Sequence, residues 1–302
     1  MNLPFEYDYV AVGSYGGTLP TRVDFDTARV VVLPVPLDRT TSYVGGTRNG
    51  PHEILVASSH MEIWDDETES DVSRVGIFTL PEMEFPFASI DDVMAEIRRV
   101  ASEVISRDKF PVFLGGEHSI TGPIVAAMAQ KYSGLSVLQI DAHADLRDTY
   151  MGTPHNHACA MRRSLEHAPV TQVGIRSMST EEAEAAPRLA TRIFYDHSMR
   201  EDPNWVQQVV GSLGDPVYVT IDVDGMDPAI MPATGTPEPG GLTWYETLAL
   251  LRAIFTQRRV VACDVVELSP LPGLMAPNFL CAKLIYKILT YRFAGALRPS
   301  QS

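Results

Sequence analysis

Cysteine is scarce: three residues in 302, Cys159, Cys263 and Cys281, at spacings that make neither a disulfide framework nor a C-x-x-C pair. They are expected to be buried, reduced thiols. No apolar run reaches the roughly 18 residues that a membrane-spanning helix needs. The N-terminus, MNLPFEYDYV, has neither the basic start nor the apolar stretch of a signal peptide. Basic residues are the minority, 24 against 38 acids, for a net charge of −14. A chain this acidic repels phosphate backbones, which argues against nucleic-acid partners. Repeats with a period of about 20–50 residues and low-complexity tracts are also missing. What remains is a chain with 45% hydrophobic residues, enough for a sizeable core. It is read as one domain over 1–302, soluble and cytoplasmic, with residues 1–28 as an N-terminal arm.

Short β-branched runs alternate with stretches of helical spacing. Arg29–Pro36, Pro111–Leu114, Leu135–Ile140, Val170–Ile175, Val217–Ile221 and Val260–Val266 read as buried strands. Ile90–Ser106, Ser119–Lys131, Ser179–Ala186, Thr243–Phe255 and Phe279–Tyr291 read as helices. Thr243 with Glu246, and Ser179 with Glu182, have the spacing of capping boxes. Strands and helices taking turns imply right-handed crossovers and a mostly parallel sheet covered on both faces. The predicted class is α/β, in three layers. The acid-rich stretch Ile63–Arg74 is expected to be a solvated loop. Pro232–Gly241, between a strand and a helix, is expected to be a shaped functional loop.

Three of these strands run directly into acids and histidines. Leu135–Ile140 leads to Asp141-Ala142-His143-Ala144-Asp145, and Val217–Ile221 leads to Asp222-Val223-Asp224. Pro111–Leu114 leads to Gly115-Gly116-Glu117-His118. Ligands of open α/β sheets bind beyond the carboxyl ends of the strands. In an extended chain every second side chain points the same way, so Asp141, His143 and Asp145 would face Asp222 and Asp224. A lone Asp-x-Asp after a strand is ordinarily a turn, and a lone His118 a satisfied loop residue. Several like charges meeting at neighbouring strand ends need a cation to offset them. Four carboxylates and two imidazoles without a thiolate suit a harder ion than structural zinc. Six ligands also fit two ions better than one. A pair of divalent ions activates water near neutral pH, and manganese is the first choice.

Together these residues resemble the ureohydrolases, the family of arginases and agmatinases. The resemblance runs from Asp38–Pro51 (DRTTSYVGGTRNGP) to Glu267-Leu268-Ser269-Pro270. It is carried by Gly115–Ser119 (GGEHS), Asp141–Asp145 (DAHAD) and Asp222–Gly241 (DVDGMDPAIMPATGTPEPGG). Family members often have Asp where Glu117 stands, which is not a ligand position. The resemblance implies an eight-stranded parallel sheet and trimeric or hexameric assembly. It implies two Mn2+ per chain held by His118, Asp141, His143, Asp145, Asp222 and Asp224, with Asp141 and Asp222 bridging. Glu267 matches the acid that pairs with the substrate guanidinium, and Thr236 a hydroxyl near that group. His157 matches the histidine that relays protons. His155 lies two residues earlier, and the run His157–Arg163 favours His157. Asp145 would orient the attacking water.

The implied reaction is hydrolysis of a guanidino compound to urea and an amine. Arginases have an Asp after the Gly-x-Arg of one strand, where this chain has Ser177. They also have an Asn two residues after the third acid, where it has Arg147. Both departures count against arginine, while Asp38–Pro51 and the run His157–Arg163 look more like agmatinases, which hydrolyse agmatine to putrescine and urea. The rival substrate is a guanidino acid such as 4-guanidinobutyrate, whose carboxylate Arg147, Arg162 or Arg163 would meet. Arginase activity and a non-catalytic regulator on the same scaffold rank lower. Fold analogy also admits a zinc deacetylase, but those sites use one metal and fewer carboxylates.

Overall fold

All six apolar runs become strands of a single sheet in the computed structural model, which describes residues 5–10, 13–17, 23–85 and 88–297. In chain order the strands are β1 (Val30–Val35), β2 (Ile77–Thr79), β3 (Phe110–Gly115) and β4 (Ser136–Ile140). They continue with β5 (Val170–Ile175), β6 (Thr191–Tyr195), β7 (Val217–Asp222) and β8 (Val260–Val266). Their order across the sheet is β2–β1–β3–β8–β7–β4–β5–β6, with every pairing parallel. All residues of β1, β3, β4, β5, β7 and β8 are buried. A parallel sheet covered on both faces needs such continuous apolar runs.

The order positions the site. The chain builds one flank with β1 to β3, crosses to β4, and returns with β7 and β8 to fill the gap. The carboxyl ends of β3, β8, β7 and β4 therefore lie side by side where the winding reverses, the place where such sheets bind ligands.

Nine helices cover the faces among the described residues. They are α1 (Gly50–Ser58), α2 (Ile90–Ile105), α3 (Thr121–Lys131), α4 (Ala160–Ser164), α5 (Thr180–Ala185), α6 (Asp196–Met199), α7 (Trp205–Ser212), α8 (Trp244–Gln257) and α9 (Ala276–Leu297). One core joins the sheet to α1, α7, α8 and α9 through Ile54, Val209, Leu250 and Leu284. The other joins it to α2, α3 and α4 through Ile97, Ile124 and Met161. Both capping boxes form, Ser179 with Glu182 and Thr243 with Glu246. All three cysteines are buried and free. No helix among the described residues is long and apolar enough to cross a membrane.

Three expectations need correction. The last helix is longer than Phe279–Tyr291, because Ala276-Pro277 starts it a turn earlier. The segment before Ala28 is not a free arm where it is described: Tyr15 is buried and donates its hydroxyl to the Ala282 carbonyl, and Tyr7 donates to Pro81. Residues 1–4, 11–12 and 18–22 of that segment lie outside the described residues. The stretch 63–74 is not simply solvated either. Asp65 is 1% exposed, and it and Glu67 each lie 2.7 Å from the Lys287 ammonium on α9.

That ion pair carries a stability prediction. Burial raises both acids, but Lys287, with Thr68 for Asp65 and Tyr291 for Glu67, outweighs it, so both carboxyls sit below their ordinary values. Their contribution is complete above the ordinary carboxylate range and fades as pH falls through the lowered values. Lys287→Met leaves Asp65 buried and unpaired, which should cost about 3–5 kcal/mol at neutral pH. Urea denaturation of both proteins near pH 7 and near pH 2 reads the difference. The gap should shrink in acid, and a gap of equal size at both values contradicts the assignment.

Candidate active site

The first constraint is steric. A side-chain carbon at Gly116 would lie 1.9 Å from the Leu37 carbonyl oxygen. Only glycine lets the chain leave β3 along this path and bring His118 over the sheet edge. β4 passes straight into Asp141, His143 and Asp145. β7 ends on Asp222, whose Oδ1 accepts the Asp224 N–H at 2.9 Å across a single 3-10 turn. The two acids thus meet the cluster through a turn rather than through extended alternation. β8 is followed at once by Glu267. Asp145 and Glu267 both have left-handed backbone, with φ of 53° and 65°. Such strain costs about 1–3 kcal/mol for a non-glycine residue and collects at functional sites.

His118 Nδ1 lies 3.1 Å from Asp141 Oδ2, 3.0 Å from Asp145 Oδ2 and 3.5 Å from Asp222 Oδ2. Its other nitrogen, Nε2, is 2.9 Å from the Thr220 hydroxyl. Thr220 in turn donates to the buried Asp264 at 2.5 Å, which also accepts from Tyr218 and Thr121. This chain places the ring proton on Nε2 and leaves a lone pair on Nδ1, which has no hydrogen-bond partner among the described residues. A buried lone pair facing three carboxylate oxygens is a donor set for a cation. On the other side, His143 Nδ1 lies 3.0 Å from Asp224 Oδ2 and 3.7 Å from Asp141 Oδ1. Two groups of ligand atoms result, His118/Asp141/Asp145 and Asp141/His143/Asp224, with Asp141 in both.

The charges agree with that geometry. Burial and the neighbouring Asp141 push Asp145 up to about 7. Burial, then Asp224 and Asp141, push Asp222 well up, and burial with Asp141 raises Asp224. Asp141 goes the other way: burial opposes its charge, but the imidazoles of His118 and His143 beside it prevail. Three acids that resist carrying their full charge beside a fourth that keeps it have the electrostatics that divalent cations relieve. The residues present therefore fit two metal ions.

Beside the cluster opens a cavity of about 230 Å³, walled by Glu267, Thr236, His157, Ser42, Arg147 and Glu182 among others. Glu267 Oε1 accepts the His118 backbone N–H at 2.6 Å, and burial pushes its carboxyl well up. The Thr236 hydroxyl is 3.4 Å from Asp224 Oδ2. His157 Nε2 is 3.3 Å from the Ser42 hydroxyl, and burial lowers the ring below its ordinary value. His155 lies elsewhere, 3.5 Å from Asp91 and lining a separate hollow between α2 and α3. Arg162 and Arg163 are also off the cavity, held by Asp148 at 3.3 and 2.8 Å. Of the three candidate arginines only Arg147 reaches the wall, 3.7 Å from Glu182 and stacked 4.5 Å from the Tyr150 ring centre.

Several supporting residues escaped the sequence reading. Glu117, fully buried, accepts from the backbone of Arg39 and Thr40 and from the hydroxyls of Thr40 and Ser119. Thr40 in turn accepts the His157 backbone N–H at 3.0 Å. Glu117 thus ties the strand end that bears His118 to the loop that holds His157. Arg176 donates to the carbonyls of Asp224, Glu238 and Pro239, which fastens the Asp224 turn to the Pro232–Gly241 loop. Asp264 did leave a signal: it is a lone acid inside an otherwise apolar strand.

The arginase-family model matches residues 28–290. An N(1)-aminopropylagmatine ureohydrolase of Synechocystis is 40% identical over 272 residues, covering 87% of this chain and 89% of the relative. An agmatinase of Bacillus cereus is 37% identical, covering 82% and 85%. The solved agmatine ureohydrolase of Thermoplasma volcanium superposes with a TM-score of 0.83 at 32% identity, covering 91% and 93%.

Proposed function

The chain belongs to the arginase family, and on that premise we propose that it hydrolyses an amine-ended guanidino compound, agmatine in the simplest case, to urea and putrescine. The observation that carries this reading is convergence. His143, Asp145, Asp222 and Asp224 line one small cavity with Glu267 and His157, and His118 and Asp141 lie directly against these acids and His143, so that four strand ends and one loop meet at one place. His118, Asp141, His143, Asp145, Asp222 and Asp224 would hold two manganese ions, with Asp141 and Asp222 shared. When bound, the ions supply a water that is nucleophilic at neutral pH and neutralise the acids around it.

The chain's own groups do the rest. Glu267 spends one carboxylate oxygen on the His118 N–H, which fixes its orientation and leaves the other to accept from the guanidinium. Thr236 closes that end of the cavity. Asp145 accepts a hydrogen bond from the attacking water and so fixes its approach. His157, neutral because burial lowers it, takes up the proton that the water loses. It then returns that proton to the nitrogen that leaves as the amine. Atoms balance: water adds across the C–N bond, and the products are urea and the free amine.

Specificity rests on the far wall. Arginine brings an α-carboxylate and an α-amino group, and this chain offers Ser177 and a Glu182-bound Arg147 in their places. Leaving either charged group unpaired costs about 1–3 kcal/mol. The catalytic efficiency kcat/KM for agmatine should therefore exceed that for arginine by at least about 10²-fold. A second substrate in the same class is N(1)-aminopropylagmatine, because relatives from Synechocystis and Thermus thermophilus, 40% and 36% identical, carry that name. A urea assay across agmatine, N(1)-aminopropylagmatine, arginine and 4-guanidinobutyrate ranks them. If 4-guanidinobutyrate leads and Arg147→Ala removes its lead, the guanidino-acid reading replaces this one. Trimeric or hexameric assembly belongs to the same proposal and is read by light scattering.

A further inference from the structure

We infer that the amino-terminal edge of the sheet, opposite the candidate active site, carries a binding site for an oligophosphate chain. Arg29 immediately precedes β1, Lys109 precedes β3, Arg259 precedes β8, and Arg292 lies on α9. Strands β1, β3 and β8 are neighbours and parallel, so their starts come together. All four cations line one cavity of about 440 Å³.

What holds these cations is aromatic surface, not acid. Arg29 and Arg292 lie 4.8 and 5.0 Å from the centre of the Phe293 ring, and Arg259 lies 5.6 Å from that of Tyr132. Lys109 sits over Phe25 at 4.9 Å. A ring face fixes a guanidinium in place and leaves its N–H donors unspent. Among the described residues, the guanidiniums of Arg29, Arg259 and Arg292 have no carboxylate within 4.0 Å and make no hydrogen bond.

The other charges at the cavity are engaged, except that of the exposed Asp26 carboxylate, which makes no ion pair among the described residues. Asp108 is taken by Lys131 at 2.6 Å, and Arg107 pairs with Glu103 at 3.6 Å. The Lys109 ammonium donates to the carbonyls of Ala28 and Asp26. Burial and the repulsion of Arg29 and Arg259 lower the Arg292 guanidinium, the mark of like charges crowded without a counter-ion. Three spare guanidiniums in a chain of net charge −14 are a local reversal of sign. Each offers a planar fork that matches two phosphate oxygens. Two or three linked phosphates suit the number of forks and the space of about 440 Å³.

Calorimetric titration of the metal-loaded protein, at about 0.15 M salt, tests this with sodium tripolyphosphate and, separately, with ATP. Saturable binding is expected. Arg29→Gln and Arg259→Gln should each weaken it at least about tenfold, the scale of one charge-assisted contact, and the double variant about a hundredfold. Urea release by the double variant without added phosphate should stay within about twofold of wild type, which shows that the fold is intact. Equal affinities for the two anions assign the phosphate chain as the ligand, and about tenfold tighter ATP assigns a nucleotide. No saturable binding below about 1 mM overturns the site. So do identical titrations of wild type and double variant, the signature of metal chelation alone.

Discussion

Asp141→Asn is expected to empty both metal positions at once and to lower kcat at least about 10³-fold, the equivalent of several kcal/mol of lost charge stabilisation. The reason is geometric. Asp141 presents one oxygen 3.1 Å from His118 Nδ1 and the other 3.7 Å from His143 Nδ1, and it belongs to both ligand groups. It is also the acid most firmly held in the charged state, since the two imidazoles beside it override its burial. Asn keeps the size of the side chain and removes its charge. His143→Asn touches only the second group and should spare most of the metal on the His118 side. Elemental analysis of the purified variants checks both statements. Two ions retained in full by Asp141→Asn would contradict the shared role.

His157→Asn is expected to keep both metals and lose about 10²–10⁴-fold in turnover, the usual worth of a positioned proton donor and acceptor. His157 lines the cavity, its ring lies 3.3 Å from the Ser42 hydroxyl, and burial keeps it neutral near pH 7. Its backbone is pinned by Thr40, which Glu117 pins in turn. His155→Asn should change turnover by less than about twofold. His155 meets only the exposed Asp91 at 3.5 Å, and surface pairs contribute little. Steady-state kinetics on the two variants decides. The reverse ranking would move the proton-relay role to His155.

The proposed metal ligands are legible as candidates because each sits within a few residues of a strand that announces itself by continuous burial, as in β4 and β7. The edge strands β2 and β6 were not. The first is three residues long and the second, TRIFY, is only partly buried, so neither has the apolar run or the strict alternation that marks a strand. Helix α1 escaped because its Gly50-Pro51 start reads as a turn, although proline at the head of a helix is favourable. The support network was illegible for a different reason. Thr220 meets His118 across 102 positions, and Glu117 meets Thr40 across 77. Such pairs exist only once the crossovers have placed their strands side by side. Arg162 and Arg163 looked available for a substrate carboxylate, yet Asp148, 14 and 15 residues upstream, claims both.

The central claim is that two ions held by this cluster let the chain release urea from an amine-ended guanidino compound. The most direct measurement follows urea and amine together while a chelated sample, supplied with agmatine or N(1)-aminopropylagmatine, is titrated with manganese. The account predicts no urea before addition, then urea and amine in equal amounts, with the rate levelling off near two ions per chain. Urea release that survives chelation, or none from any guanidino compound at full metal loading, would contradict it.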